Sequence, residues 1–265
     1  MKKMMFAGLF TACLAVLCLH VNAQTLNTQN TQDSTVQKKE TPAKPYKPFN
    51  VNLQVRNIYI WRGFRVSNAP ISDIDVHYLS KDGSFQAGFW GGAGFDGTYK
   101  EFDYYLKYTK GGFSAAIWDI NNFTDFPNAG LFDYKRSTTS HFVDVGVAYS
   151  FNMKLPLTVS WNTIVAGRDT YVKENGDRAN AYSNYVQLDQ VLWKQADYNL
   201  HVFVGGGFAF GREQNFYGNK PNVVNAGFTL NKDLVIFSYH MPVSATVMFN
   251  PEKKIGGLQL VANLF

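Results

Sequence analysis

From Asn50 to Phe265 the apolar side chains recur at every second position, and no stretch of useful length repeats at 3.6. A period of two places alternate residues on opposite faces of a strand, so the chain must fold into sheet with one apolar and one polar face. Val51, Leu53, Val55, Tyr59 and Trp61 share one row, as do Ile74, Val76 and Tyr78, and then Phe102, Tyr104, Leu106 and Tyr108. Val143 to Phe151, Leu157 to Val165, Leu200 to Phe210, Val224 to Leu230, Val235 to Phe249 and Leu258 to Leu264 continue the pattern. Weaker segments near 85–92, 113–120 and 182–192 bring the expected count to about 12 strands.

The connections alternate as well. "SKDGS", "TKGG", "NMKLP", "KQADYN" and "NKD" are short, whereas "RGFRVSNAPIS", "GFDGTYK", "NNFTDFPNAGLFDYKRSTTS", "GRDTYVKENGDRAN" and "REQNFYGNKP" are longer and polar. Short turns on one rim, long loops on the other, an even strand count and roughly ten residues per strand describe a closed antiparallel β-barrel that crosses a membrane. A soluble β-sandwich also alternates apolar and polar residues, but nothing in it makes its loops alternate in length. The rows opposite the apolar ones carry Gln54 and Arg56, Asp75 and His77, Glu101, Asp103 and Lys107, Asp144, and Gln187 and Asp189. In hydrocarbon a midplane Lys or Arg costs about 2–4 kcal/mol, so these rows face a lumen and the apolar rows face lipid. Arg56, Asp75, His77, Glu101, Asp103, Lys107, Asp144 and Asp189 are therefore the expected lining of a pore, and Asp75 and His77 are close enough on one face to pair. An acidic majority in that ring would favour cations, because a low-dielectric wall focuses the field of unpaired carboxylates.

Tyr59 and Trp61 fall at the end of the first strand, where an aromatic girdle would meet lipid headgroups, with Arg62 at the polar rim and Gly63 free to bend into the loop. The phase is imperfect there: Asn57 falls in the lipid row and Ile58 and Ile60 in the lumen row. A bulge near Asn57 would reconcile them.

Ahead of the strands, residues 1–23 have the form of a secretory signal peptide: Lys2 and Lys3, an apolar core, and "VNA" before Gln24. Its apolar run is shorter than the ~20 residues of a spanning helix. Cleavage after Ala23 would remove both cysteines, Cys13 and Cys18, leaving no disulfide, no zinc–thiolate site and no cysteine nucleophile. Residues 24–49 are polar and nearly free of aliphatics, which suits a flexible leader or a plug within the lumen. The formal net charge of +5 falls to +3 without Lys2 and Lys3, and to +1 without the four lysines and two acids of 24–49. No basic patch interleaved with aromatics remains to bind nucleic acid.

"VRNIYIWRGF", "GSFQAGFWGG" and "KEFDYYLKYT" resemble, in order and spacing, the N-terminal half of the TorF family of porins, most closely over residues 51–120. Tyr-x-Trp-Arg-Gly at 59–63 is the most specific part. The final Phe265 is similar to the terminal residue of the barrel insertion signal. The resemblance implies an outer-membrane barrel of a Gram-negative envelope with channel activity, and names no substrate.

Catalytic chemistry is poorly supported. Barrel lipases use a histidine beside a serine, and none of His77, His141, His201 and His240 stands in a His-x-Ser arrangement. No cluster has metal-ligand spacing, "GGFAFG" opens no helix and so is no phosphate loop, and no cofactor is expected. Two readings remain open: a porin-like channel passing small solutes or ions, and a structural or surface-binding barrel with a closed lumen. Both have outer-membrane lipids and lipopolysaccharide as partners.

Overall fold

The structure is a computed structural model and describes residues 46–126 and 128–265. The expected signal peptide and nearly all of the leader lie outside the described residues. The wall begins at Phe49, one residue earlier than the sequence suggested.

Twelve strands close into one antiparallel barrel: β1 (Phe49–Arg56), β4 (Ile71–Leu79), β5 (Phe85–Gly94), β6 (Lys100–Lys110), β7 (Phe113–Asn121), β8 (His141–Ser150), β9 (Leu157–Gly167), β12 (Ser183–Lys194), β13 (Tyr198–Ala209), β14 (Asn222–Ile236), β15 (Tyr239–Asn250) and β16 (Ile255–Asn263). Two small hairpins interrupt the sequence without joining the wall: β2 (Tyr59–Trp61) with β3 (Phe64–Ser67), and β10 (Thr170–Val172) with β11 (Arg178–Asn180). Each wall strand pairs with its neighbours along the chain, and β1 meets β16 to close the ring. Closure leaves no open sheet edge, which hydrocarbon does not tolerate.

Alternation sorts the side chains. Phe89, Leu106, Ile117, Val147 and Leu260 stand outward and exposed, while Asp73, Asp103 and Asp144 on the opposite parity are buried. The outward rows form an apolar band, and rings crowd its short-turn end, where Phe49 packs edge-on against Tyr78 and Tyr149 against Phe151. Nearer the other rim Trp161, Phe208 and Phe210 contact one another. Aromatic rings at two levels of the wall are the geometry of interfacial girdles.

The inward rows are packed by pairing large residues with small ones. Gly205 lies where an added Cβ would come within 2.2 Å of the Tyr185 hydroxyl, so that ring occupies the space a side chain at 205 would fill. The short turns are held locally. In the β4–β5 turn, Asp82 accepts from the Ser80 and Ser84 hydroxyls at 2.6 and 2.7 Å, and these bonds, with the Ser84 N–H, hold its carboxyl down at about 2.

Two sequence expectations change. "NKD" at 231–233 is not a turn: β14 runs on to Ile236, and the chain reverses at Phe237 and Ser238. Asn231, Lys232 and Asp233 are three polar residues in succession, which resembles a turn, but they stay in the ladder opposite Ser244, Val243 and Pro242. Val224 also leaves the outward row of Ala226, Phe228 and Leu230. The β13–β14 register slips by one between Gly205/Asn225 and Gly206/Val223, and this bulge turns Val224 inward, where it is buried.

Candidate functional site

The wall's first strand stops at Arg56, and the next eleven residues fold into the barrel. Asn57 marks the departure. Its N–H donates to the Leu260 carbonyl, its Nδ2 donates to the Leu258 carbonyl at 3.0 Å, and its Oδ1 accepts from the Leu260 N–H at 2.7 Å. The side-chain amide thus occupies the ladder positions that a continuing β1 would have filled, and frees the chain to turn inward.

Beyond Asn57 the chain forms a hairpin with a two-residue tip. Trp61 faces Phe64, Ile60 faces Arg65, and Arg62 and Gly63 at the tip both have positive φ, 45° and 84°. Positive φ at both central residues defines the I′ turn, which matches the twist of the flanking strands and suits glycine at the second position. The tip reaches β14 and β15 from inside the barrel. A Cβ on Gly63 would sit 1.9 Å from the Val224 carbonyl oxygen, and the Gly63 carbonyl accepts from Asn250 Nδ2 at 3.0 Å. Only glycine meets both demands at once.

Arg62 docks the tip. Its guanidinium meets Asp144 with two bonds, 3.1 and 2.6 Å, donates to the Tyr217 hydroxyl at 3.0 Å, and lies over Trp61 and Tyr185 at 4.6 and 5.2 Å. A forked, charge-assisted pair between aromatic faces is the arrangement guanidinium fits better than ammonium. Trp61 packs on Phe142 and on Phe216 and Tyr217, which the 210–221 loop carries in from the same rim. Tyr59 packs on Trp90 and Tyr99.

Tyr59, Trp61 and Arg62 are therefore not a headgroup girdle and rim, and that expectation is corrected. Their apolar spacing continues β1 on paper, but the backbone leaves the wall at Asn57 and carries all three into the interior. The phase defect at Asn57, Ile58 and Ile60 is the trace of this departure, and the register shift expected near Asn57 falls inside the hairpin, between Tyr59 and Ile60.

The eight charged residues assigned to the lumen by alternation all lie on the inward rows, on β1, β4, β6, β8 and β12. They do not form one ring. Arg56 is tied to Asp73, with bonds of 2.6 and 2.9 Å. Asp75 pairs with His77 and accepts from the Tyr105 hydroxyl at 2.8 Å. Asp189 holds His201 at 2.9 Å, Asp144 holds Arg62, and Lys107 lies on a cavity wall near the short-turn side. Glu101 and Asp103 differ: they accept from Asn122 Nδ2 at 2.5 Å and from the Asn121 N–H at 3.0 Å, and neither has a cationic group within 4 Å among the described residues.

Four contributors escaped the sequence reading. Asp73 shares the parity of Asp75 and His77, so its row could have named it. Trp90 and Trp118 also obey the alternation, but inward tryptophans look like wall residues until the opposite face is known. Arg168 lies just beyond β9, outside any periodic row, and no sequence signal marks it.

Three cavities lie inside the wall. One of about 560 Å³, on the long-loop side, is bounded by the hairpin, Trp90, Trp118, Glu101, Asp103 and Arg168. A second of about 300 Å³ lies below it, lined by Arg56, Asp73, Asp75, His77 and Lys107, and the same two tryptophans border both. A third of about 390 Å³ opens near the β12–β13 turn and shares Gln54 with the second. The chambers are thus strung along the lumen and separated by side chains. Among the described residues no group of three His, Cys, Asp or Glu is placed to hold a metal ion.

No protein-family model matches the chain, and no curated protein is similar to it in sequence. Solved barrels are similar in structure. The NanC porin aligns with TM-score 0.49 at 8% identity over 81% of this chain and 98% of its own. An outer-membrane channel from Pseudomonas putida aligns with TM-score 0.45 at 12% identity over 84% of this chain and 97% of its own. OprD of Pseudomonas aeruginosa aligns with TM-score 0.36 at 9% identity over 82% of this chain and 64% of its own.

Proposed function

We propose that the protein is an outer-membrane channel of the porin type, through which small solutes or ions diffuse past the folded-in hairpin. The carrying observation is the set of three cavities enclosed by the closed wall, each bordered by inward charged side chains, beneath an apolar outer band. Charges enclosed by a low-dielectric wall are stable when paired or wet, and among the described residues Glu101 and Asp103 have no cationic group within 4 Å. The resemblance to TorF porins around Tyr59 to Gly63 and the signal-peptide form of residues 1–23 agree with this reading. Lipids and lipopolysaccharide contact the outer band, and no cofactor or catalytic residue is part of the proposal.

The alternative, a closed structural barrel, draws on the buried Arg62–Asp144 pair and the rings around it, which fill the lumen beneath the long loops. Planar-bilayer recording separates the two. The channel reading expects discrete conductance from the purified protein, and a cation preference that falls when Glu101 and Asp103 become Gln and Asn. A barrel that stays electrically silent even after the hairpin is removed is structural.

A further inference from the structure

The 560 Å³ cavity has unusual walls. Trp61, Trp90 and Trp118, three of the chain's 5 tryptophans, border it. On one side stand Glu101 and Asp103, two residues apart on the inward row of β6; Asp103 is only 4% exposed. On the other stands Arg168, its guanidinium carbon 5.0 Å from the centre of the Phe142 ring and 5.4 Å from that of Phe126. Among the described residues Arg168 has no carboxylate within 4 Å, and its buried Nε–H has no acceptor. Nearby, the same lumen closes Arg62 onto Asp144 with two bonds. Opposite charges that face one cavity without touching leave room for a guest that completes both.

We propose that this cavity binds a zwitterionic organic solute with an aromatic body, of the size of a free aromatic amino acid, its ammonium on Glu101 and Asp103, its carboxylate on Arg168 and its ring among the three tryptophans. Each half of the guest answers an uncompensated group, and the rings supply apolar contact and a cation–π face for the ammonium. A neutral sugar would leave the acidic pair and the arginine without a charged partner among the described residues. A simple amine would answer only the acids, and a simple carboxylate only the arginine. The volume suits such a guest, since pockets for small organic ligands run from about 300 to 1,000 Å³. The proposal rests on the channel reading for the purpose of the site, but binding itself requires no transport.

The test uses detergent-purified, full-length protein titrated with L-phenylalanine, phenethylamine and hydrocinnamate, read by tryptophan fluorescence and by calorimetry. Phenylalanine should perturb the fluorescence and bind about tenfold or more tightly than either analogue, the size of one additional charge-assisted contact. Arg168→Gln should abolish the preference over phenethylamine while leaving phenethylamine itself nearly unaffected. Glu101→Gln should shrink the preference over hydrocinnamate, and adding Asp103→Asn should remove it. Heat-modifiable migration on gels reports whether each variant folds; if the double variant does not, the single variant and the wild-type ligand series still decide. Equal affinities for the three ligands, or no response up to the solubility of phenylalanine, overturn the site. Binding without conductance would sink the channel reading alone, and conductance without binding would sink this proposal alone.

Discussion

At Gly63 two separate constraints fall on one residue. Its φ of 84° disfavours a side chain, and its missing Cβ makes way for the Val224 carbonyl. Gly63→Val should therefore push the hairpin tip off β14 and raise single-channel conductance while leaving the barrel folded. Gly83→Ala is the matched control: φ is 72° but nothing lies within 4 Å of the added carbon, so only backbone strain of about 1 kcal/mol is expected and conductance should not change. The Arg62–Asp144 pair gives a second prediction. Its side chains are 16% and 2% exposed, so Arg62→Ala or Asp144→Ala leaves the other, buried charge without its partner at a cost of about 3–5 kcal/mol. Each single variant should loosen the hairpin and raise current noise. The double replacement Arg62→Met, Asp144→Leu removes both charges, and quieter recordings than either single variant would establish the coupling.

The hairpin formed by β2 and β3 sets the bore. Deleting residues 58–67 and joining Asn57 to Asn68 through a short Gly-Ser linker should leave heat-modifiable folding intact and increase conductance several-fold. An unchanged conductance would mean that the 210–221 loop, which brings in Phe216 and Tyr217, limits passage instead. This element also separates what was legible in the sequence from what was not. Period-two alternation gave the wall, its face assignments and all eight inward charges, because a lipid face and a wet face demand opposite residue types. It failed from Asn57 to Trp61, where the alternation of Tyr59 and Trp61 continued although the backbone had left the wall. The hairpin keeps a period of two of its own, with Tyr59 and Trp61 toward the cavity and the aromatic cluster and Ile58 and Ile60 against Gly257 of β16, so the pattern could not announce the change of partner. Trp-Arg-Gly-Phe, with glycine second at the tip, was the local sign of a turn. Arg168 and the docking of Phe216 depend on contacts between loops distant in sequence, which no periodicity records.

Over the whole molecule, strand direction places Phe49 and the 80–84 turn on one rim and the β10–β11 hairpin on the other. Epitopes inserted at Asn175 and at Asp82 should report this: antibody on intact cells is expected to label the first and not the second. The reverse result would invert the barrel and place the 560 Å³ cavity on the periplasmic side.

The seam where β1 meets β16 has a consequence for assembly. Every other wall pairing joins strands adjacent in the chain, so those hairpins can zip one after another, whereas the seam brings together residues 201 apart, as Asn57 and Leu258 are. Closing a loop that long costs roughly 3 kcal/mol more than closing a ten-residue hairpin. The seam ladder pairs Gln54–Asn263, Val55–Ala262 and Arg56–Val261, and Leu53 lengthens it at one end by bonding to Leu264 and Phe265. Asn57 extends it with its own amide, so this residue acts at the last and entropically most expensive step of maturation. In refolding from urea into lipid vesicles, Asn57→Ala should slow the final appearance of the compact gel species while leaving the earlier gain of β-structure by circular dichroism at its normal rate.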